Sequence, residues 1–103
     1  MKQIFAVTRA RGPAWEDAKP LEKQAEWAAH AAFMDALAAE GFVILAGPLE
    51  GFREALIILR AASADEINAR LAEDPWTKLD LLRTARIAPW ILRLGFLPGP
   101  EDR

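Results

Sequence analysis

Hydrophobic and polar positions change their spacing several times along the chain, and each change marks an element. Gln3 to Arg9, "QIFAVTR", mixes β-branched and aromatic residues and is halted by Arg-Ala-Arg-Gly-Pro, which predicts a short strand. Ala10 to Pro20, "ARGPAWEDAKP", has no period and reads as a long loop of the kind used as a lid or binding loop. Its Trp15 reads equally as a lid residue or as a loop anchor. Leu21 to Glu40 is rich in Ala, Leu, Glu and Lys, with Gly41 placed as a C-terminal cap, and predicts a helix. Two apolar runs follow, Phe42 to Ala46 and Ala55 to Leu59, separated by Gly-Pro-Leu-Glu-Gly, the pattern of a hairpin turn. Ser63-Ala-Asp-Glu66 has the form of a capping box and opens a second helix. That helix is expected to end near Asp74, because Pro75 disfavours helical geometry in the residue before it. "TARIAPWILRLGF", Thr84 to Phe96, supplies a last strand, placed at a sheet edge because Pro89 cannot donate to a ladder.

The order strand–helix–strand–strand–helix–strand predicts one α+β domain, residues 1–97, with residues 98–103 as a flexible tail. Short connections then give a four-stranded antiparallel sheet with both helices on one face. The middle strands, "FVIL" and "ALIIL", are apolar at every position, so both of their faces are hydrophobic. Two helices cover one face only. An antiparallel sheet with a wet face alternates apolar and polar residues, and these strands do not. The uncovered apolar face predicts a homodimer in which two sheets pack together.

Composition narrows the function. The net charge is −2 and acids and bases are interleaved, so the basic stripe of a nucleic-acid binder is missing. The chain has no cysteine, which excludes disulfides, thiolate metal sites and cysteine nucleophiles. A single histidine cannot build a multi-histidine metal centre, and no metal or cofactor is expected. Haem ligation by that histidine is an open reading that nothing in the sequence demands. No apolar stretch approaches the ~20 residues needed to span a bilayer. The apolar run at the N-terminus is too short for a signal peptide, so a soluble cytoplasmic protein is expected.

The lone histidine lies in "EWAAHAAFMDAL". On a helical wheel His30, Phe33, Met34 and Leu37 share one face, joined by Trp27, so His30 points at the sheet. A buried ring nitrogen without a partner costs ~1–3 kcal/mol, so either a backbone carbonyl or a side chain must meet it. Asp74 is the candidate side chain. It shares an inward helix face with Ile67 and Leu71, although an aspartate before proline is also an ordinary turn residue. In the expected topology the start of the first helix, the end of the second and the hairpin turn share one end of the sheet. His30, Asp74, Trp76 and Gly47-Pro48 would then surround one pocket, with Trp15 on the adjoining loop. A carboxylate beside an imidazole favours the charged ring, burial opposes it, and the aspartate fixes which nitrogen carries the proton. Arg9 and Arg11 read as solvated loop residues, with recognition of an anionic substrate as the alternative. Gly47 and Gly51 read as turn residues and not as a phosphate-cradling loop.

"HAAFMDALAAEGFVILAGPL", then "LAEDPW", then "IAPW" resembles the YciI-like (YCII-related) family, which shows a helix histidine, a Gly-Pro turn and an Asp-Pro-aromatic sequence after the second helix. The resemblance runs from the first strand to Trp90. It implies a ferredoxin-like dimeric α+β barrel with a histidine–aspartate active site, here His30 and Asp74, and a small-molecule ligand. It also implies acid–base chemistry on small ring compounds, including dechlorination, with lactone isomerases among similarly folded proteins. Many members carry a second glycine before the Gly-Pro turn, where this chain has Ala46. The expected protein is thus a small enzyme with His30 as general base or acid, Asp74 orienting it, and Trp76, Gly47, Pro48 and Trp15 lining the substrate site. The rival is a non-catalytic module that binds a metabolite or serves as a dimeric interaction unit.

Overall fold

The structure, a computed structural model, describes residues 2–51 and 53–95. The tail at 98–103 and Phe96 of the expected last strand lie outside the described residues. The elements are β1 (Gln3–Arg11), a single 3-10 turn (Leu21–Lys23), α1 (Trp27–Ala39), β2 (Val43–Pro48), β3 (Glu54–Ala61), α2 (Ala64–Leu71), α3 (Pro75–Lys78) and β4 (Leu82–Pro89). All strand pairs are antiparallel and the sheet order is β2-β3-β1-β4, the ferredoxin-like arrangement.

Register divides the sheet into two faces. Phe5 lies opposite Leu59 and Val7 opposite Ile57, with Val43 beside Leu59 on the other side. These residues form one buried cluster with Leu37 of α1 and with Ile67 and Leu71 of α2, so the helices cover this face. Each such side chain contributes about 1.5–3 kcal/mol by leaving water. The opposite face carries Ile4, Ala6, Leu56 and Ile58 among Thr8 and Arg60. Ile58 is buried there by its neighbours, whereas Leu45, its β2 partner, is 51% exposed.

Four boundaries differ from the sequence expectation, each for a local reason. The helix expected from Leu21 begins at Trp27, because residues 24–26 spend their polar groups elsewhere. The amide of Gln24 is buried and bonds the loop backbone at Glu16 N, Glu16 O and Lys19 O, and the carbonyl of Ala25 accepts from the Trp76 indole. Glu26 then turns through the left-handed region, φ 58°. β1 continues to Arg11, so Arg9 and Arg11 both belong to the sheet and neither is a solvated loop residue. Gly47 and Pro48 pair with Leu56 and Ala55 as the end of β2, and the chain turns after them at Glu50 and Gly51, where Gly51 supplies φ 94°. Pro48 is tolerated because β2 is an edge strand. β4 runs from Leu82 and stops at Pro89, also on an edge, leaving Ile91 and Leu94 exposed.

Candidate functional site

Asp74 is reached by a break in the helical chain. α2 opens on its predicted cap, Ser63 Oγ accepting from Glu66 N at 3.1 Å, but ends at Leu71, before Asp74. Pro75 keeps Asp74 extended and itself takes the first position of α3, where its missing N–H is no loss. Asp74 is therefore the N-cap of α3 and not the last residue of α2, and its Oδ1 accepts from Trp76 N at 2.9 Å.

Two further groups converge on this carboxylate, which is completely buried. His30 Nδ1, from α1, lies 2.9 Å from Oδ1 and 3.0 Å from Oδ2. Arg9 Nη1, from β1, donates to Oδ2 at 3.0 Å. Arg9 is only 1% exposed, and its Nη2 donates to Thr77 Oγ1 at 2.6 Å and to the Leu82 carbonyl at 3.3 Å. Thr77 Oγ1 donates in turn to the Leu71 carbonyl at 2.8 Å. Burial alone would raise the pKa of Asp74. Bonds from His30 and Trp76 N–H, with the charges of His30 and Arg9, outweigh it and hold the carboxyl below its ordinary value. Burial pulls Arg9 below its usual value, against the attraction of Asp74. An ionised carboxylate only accepts, so the proton on the Asp74 side of His30 sits on Nδ1 and Nε2 carries the lone pair of the neutral ring.

The imidazole is also fixed from its face. The Trp76 ring stacks on it at 3.9 Å with an interplanar angle of 5°, and Trp76 Nε1 donates to the Ala25 carbonyl at 2.6 Å. Trp76 is 1% exposed, and Trp27 and Trp15 pack against it at 5.7 and 5.3 Å.

His30 lines a cavity of about 530 Å³ between the start of α1, the end of the β2–β3 hairpin and the loop after β1. Trp76, Trp15, Gly47 and Pro48 line the same cavity, whereas Asp74 stands behind His30 and does not reach it. Arg9, Arg11, Trp27 and Met34 line it too. Arg9 was detectable in the sequence as the next member of the alternation Phe5, Val7, Arg9 on the covered face. The loop wall is tied down at both ends. Gly12 N donates to Leu81 O at 2.8 Å, Ala14 N to Asp80 O at 3.2 Å, and the Gln24 amide holds Glu16 and Lys19. At Gly12 a Cβ would come within 2.2 Å of the Asp80 carbonyl oxygen, so this approach requires glycine.

Among the described residues no group of three or more His, Cys, Asp or Glu is placed to hold a metal ion, and no helix is long and apolar enough to cross a membrane. A family model, the YCII-related domain, matches residues 5–91. Among solved structures the chain is similar to TftG, a 5-chloro-2-hydroxyhydroquinone dehydrochlorinase from Burkholderia phenoliruptrix AC1100, in complex with 2,5-dihydroxybenzoquinone. The TM-score is 0.60 with 24% identity over 90% of this chain and 96% of that one, a likeness of fold. No curated protein matches the chain.

Proposed function

Because this chain belongs to the YCII-related family, we propose that it is a small cytoplasmic enzyme in which His30 is the general base and acid and Asp74 positions it. The observation that supports this reading is a single histidine whose Nδ1 is held by a buried carboxylate while the ring itself lines a cavity. Nε2 takes a proton from a C–H or O–H of a small ring or lactone-like substrate. Asp74, already accepting from Nδ1, stabilises the imidazolium that forms, and Arg9 keeps Asp74 ionised and in place. In an isomerisation the imidazolium returns the proton to another atom of the substrate. In an elimination the electron pair left by the proton forms a new π bond as chloride departs with its own pair, so HCl is lost in total. Positioned proton transfer supplies about 10²–10⁴-fold of rate.

The test uses chloride release from 5-chloro-2-hydroxyhydroquinone, the compound named for the structural neighbour, and isomerisation of small unsaturated lactones. His30→Gln is expected to lower turnover by about 10²–10⁴-fold. In NMR spectra of the lone histidine, Asp74→Asn is expected to move the Nδ1–H resonance, because that hydrogen bond loses its carboxylate acceptor. Unchanged turnover in His30→Gln overturns the acid–base role. No turnover of either class, with an Nδ1–H resonance indifferent to Asp74→Asn, favours a non-catalytic binding module.

The reading includes a homodimer formed through the sheet face that carries Ile4, Ala6, Leu56 and Ile58. Sedimentation of wild type and Leu56→Glu tests it, with a dimer expected for the first and a monomer for the second.

A further inference from the structure

Residues 21–26, Leu-Glu-Lys-Gln-Ala-Glu, are consecutive strong helix formers directly before α1, yet they form no α-helix. The chain makes one 3-10 turn, Leu21–Lys23, and Gln24 is extended at ψ 152°. Glu26 then enters α1 through the left-handed region at φ 58°, and its side chain does not cap the helix. A residue with a Cβ is strained there, and such strain persists only where the surrounding structure imposes it.

Two sets of bonds impose it. The amide of Gln24, a residue 3% exposed, accepts from Glu16 N at 3.1 Å and donates to Glu16 O at 2.8 Å and Lys19 O at 2.9 Å. The Ala25 carbonyl accepts from Trp76 Nε1 at 2.6 Å. In a continuous helix that carbonyl would accept from Ala29 N instead, and Gln24 would leave the loop. Each residue that passes from extended to helical geometry also shortens its rise from about 3.3 Å to about 1.5 Å, which draws Pro20 and the loop end toward α1. Pro20, at φ −69°, already has the torsion of a first helical residue. Residues 15 and 17–22 line the cavity, so this rearrangement moves its wall.

We propose that residues 21–26 are a gate with two states. In the latched state, the one described above, Gln24 holds the Trp15 loop against the cavity and Ala25 anchors Trp76, which is stacked on His30. In the open state α1 begins near Leu21, both sets of bonds are released, and the loop gives way to admit a ligand. Gln24 is thus a positioning residue that acts through the loop. The gate governs entry to the cavity and goes beyond the acid–base reading of His30.

NMR of the full chain tests the gate by two readouts. One is the 13Cα shifts of residues 21–26. The other is hydrogen exchange at Trp15 Nε1–H, which is buried and therefore protected in the latched state. Gln24→Ala removes the latch and keeps a strong helix former. It is expected to give helical shifts at 21–26 and to speed the indole exchange by about 10²-fold, the effect of losing three hydrogen bonds. Glu26→Gly relieves the left-handed residue and weakens the helix, so it is expected to slow that exchange by about ten-fold. A merely structural latch gives random-coil shifts at 21–26 in Gln24→Ala and no added helix. That result, or unchanged exchange in Gln24→Ala, overturns the gate. If Gln24→Ala does not fold, Glu26→Gly decides alone, and exchange that is unchanged or faster in it overturns the gate. Neither readout uses turnover, so failure of the acid–base reading leaves the gate standing, and the reverse also holds.

Discussion

On the helix side of the cavity His30, Asp74, Arg9 and Thr77 are joined by bonds of 2.6 to 3.0 Å, with Arg9 Nε left without a protein acceptor. On the loop side Arg11 and Trp15 keep buried N–H groups with no protein acceptor. Both walls use an arginine from the same strand, two positions apart. The even-handed way to compare them is by where the cost of burial is met. Around Asp74 it is met internally, so the ring of His30 arrives in one orientation and one tautomer before any ligand is present. Beside Trp15 two buried N–H groups remain without a protein acceptor. The two walls thus differ in how completely their buried donors are met.

Substitutions at the two arginines test that difference. Arg9→Met strands the Asp74 carboxylate in a buried site, and breaking such a pair costs about 3–5 kcal/mol. Urea denaturation is expected to show that loss, and a change below about 1 kcal/mol would mean that Asp74 does not depend on Arg9. Acid is the next largest perturbation. Asp74 is held below its unfolded value near 3.9, so the stability it contributes is complete above that pH and disappears as pH falls through the lower folded value. Urea midpoints taken downward from about pH 5 are expected to decline most steeply below about pH 4. A flat profile would place the carboxylate's partners elsewhere. Arg11→Met is the smallest change, under about 1 kcal/mol, since it removes one cation–π contact and one exposed ion pair. A larger loss would make the loop wall a structural element and blur the division.

Much of this arrangement is legible in the sequence. The strand and helix order, the inward face of His30 and the interruption at Asp74-Pro75 all follow from periodicity and from the restrictions proline imposes. Arg9 closes the predicted strand, and a charged residue in that position reads as solvated. The alternation in fact continues through it, and a buried arginine is recognisable only once its carboxylate is known to sit across the sheet. The helix start was hidden for the opposite reason. Residues 21–26 have good helical propensity, but Gln24 and the Ala25 carbonyl are engaged by the loop and by Trp76, and tertiary bonds override propensity. Gly47 and Pro48 looked like a turn because those residue types usually make one, while an edge strand accepts both.

Gly12 has a consequence for anyone wishing to redesign the protein. No side chain fits between that residue and the Asp80 carbonyl, so the path of the backbone at the foot of the loop admits a single amino acid. Randomised libraries that hold position 12 constant and vary the tip beyond it would sample new chemistry on an unchanged frame. Libraries that vary position 12 would trade the frame itself.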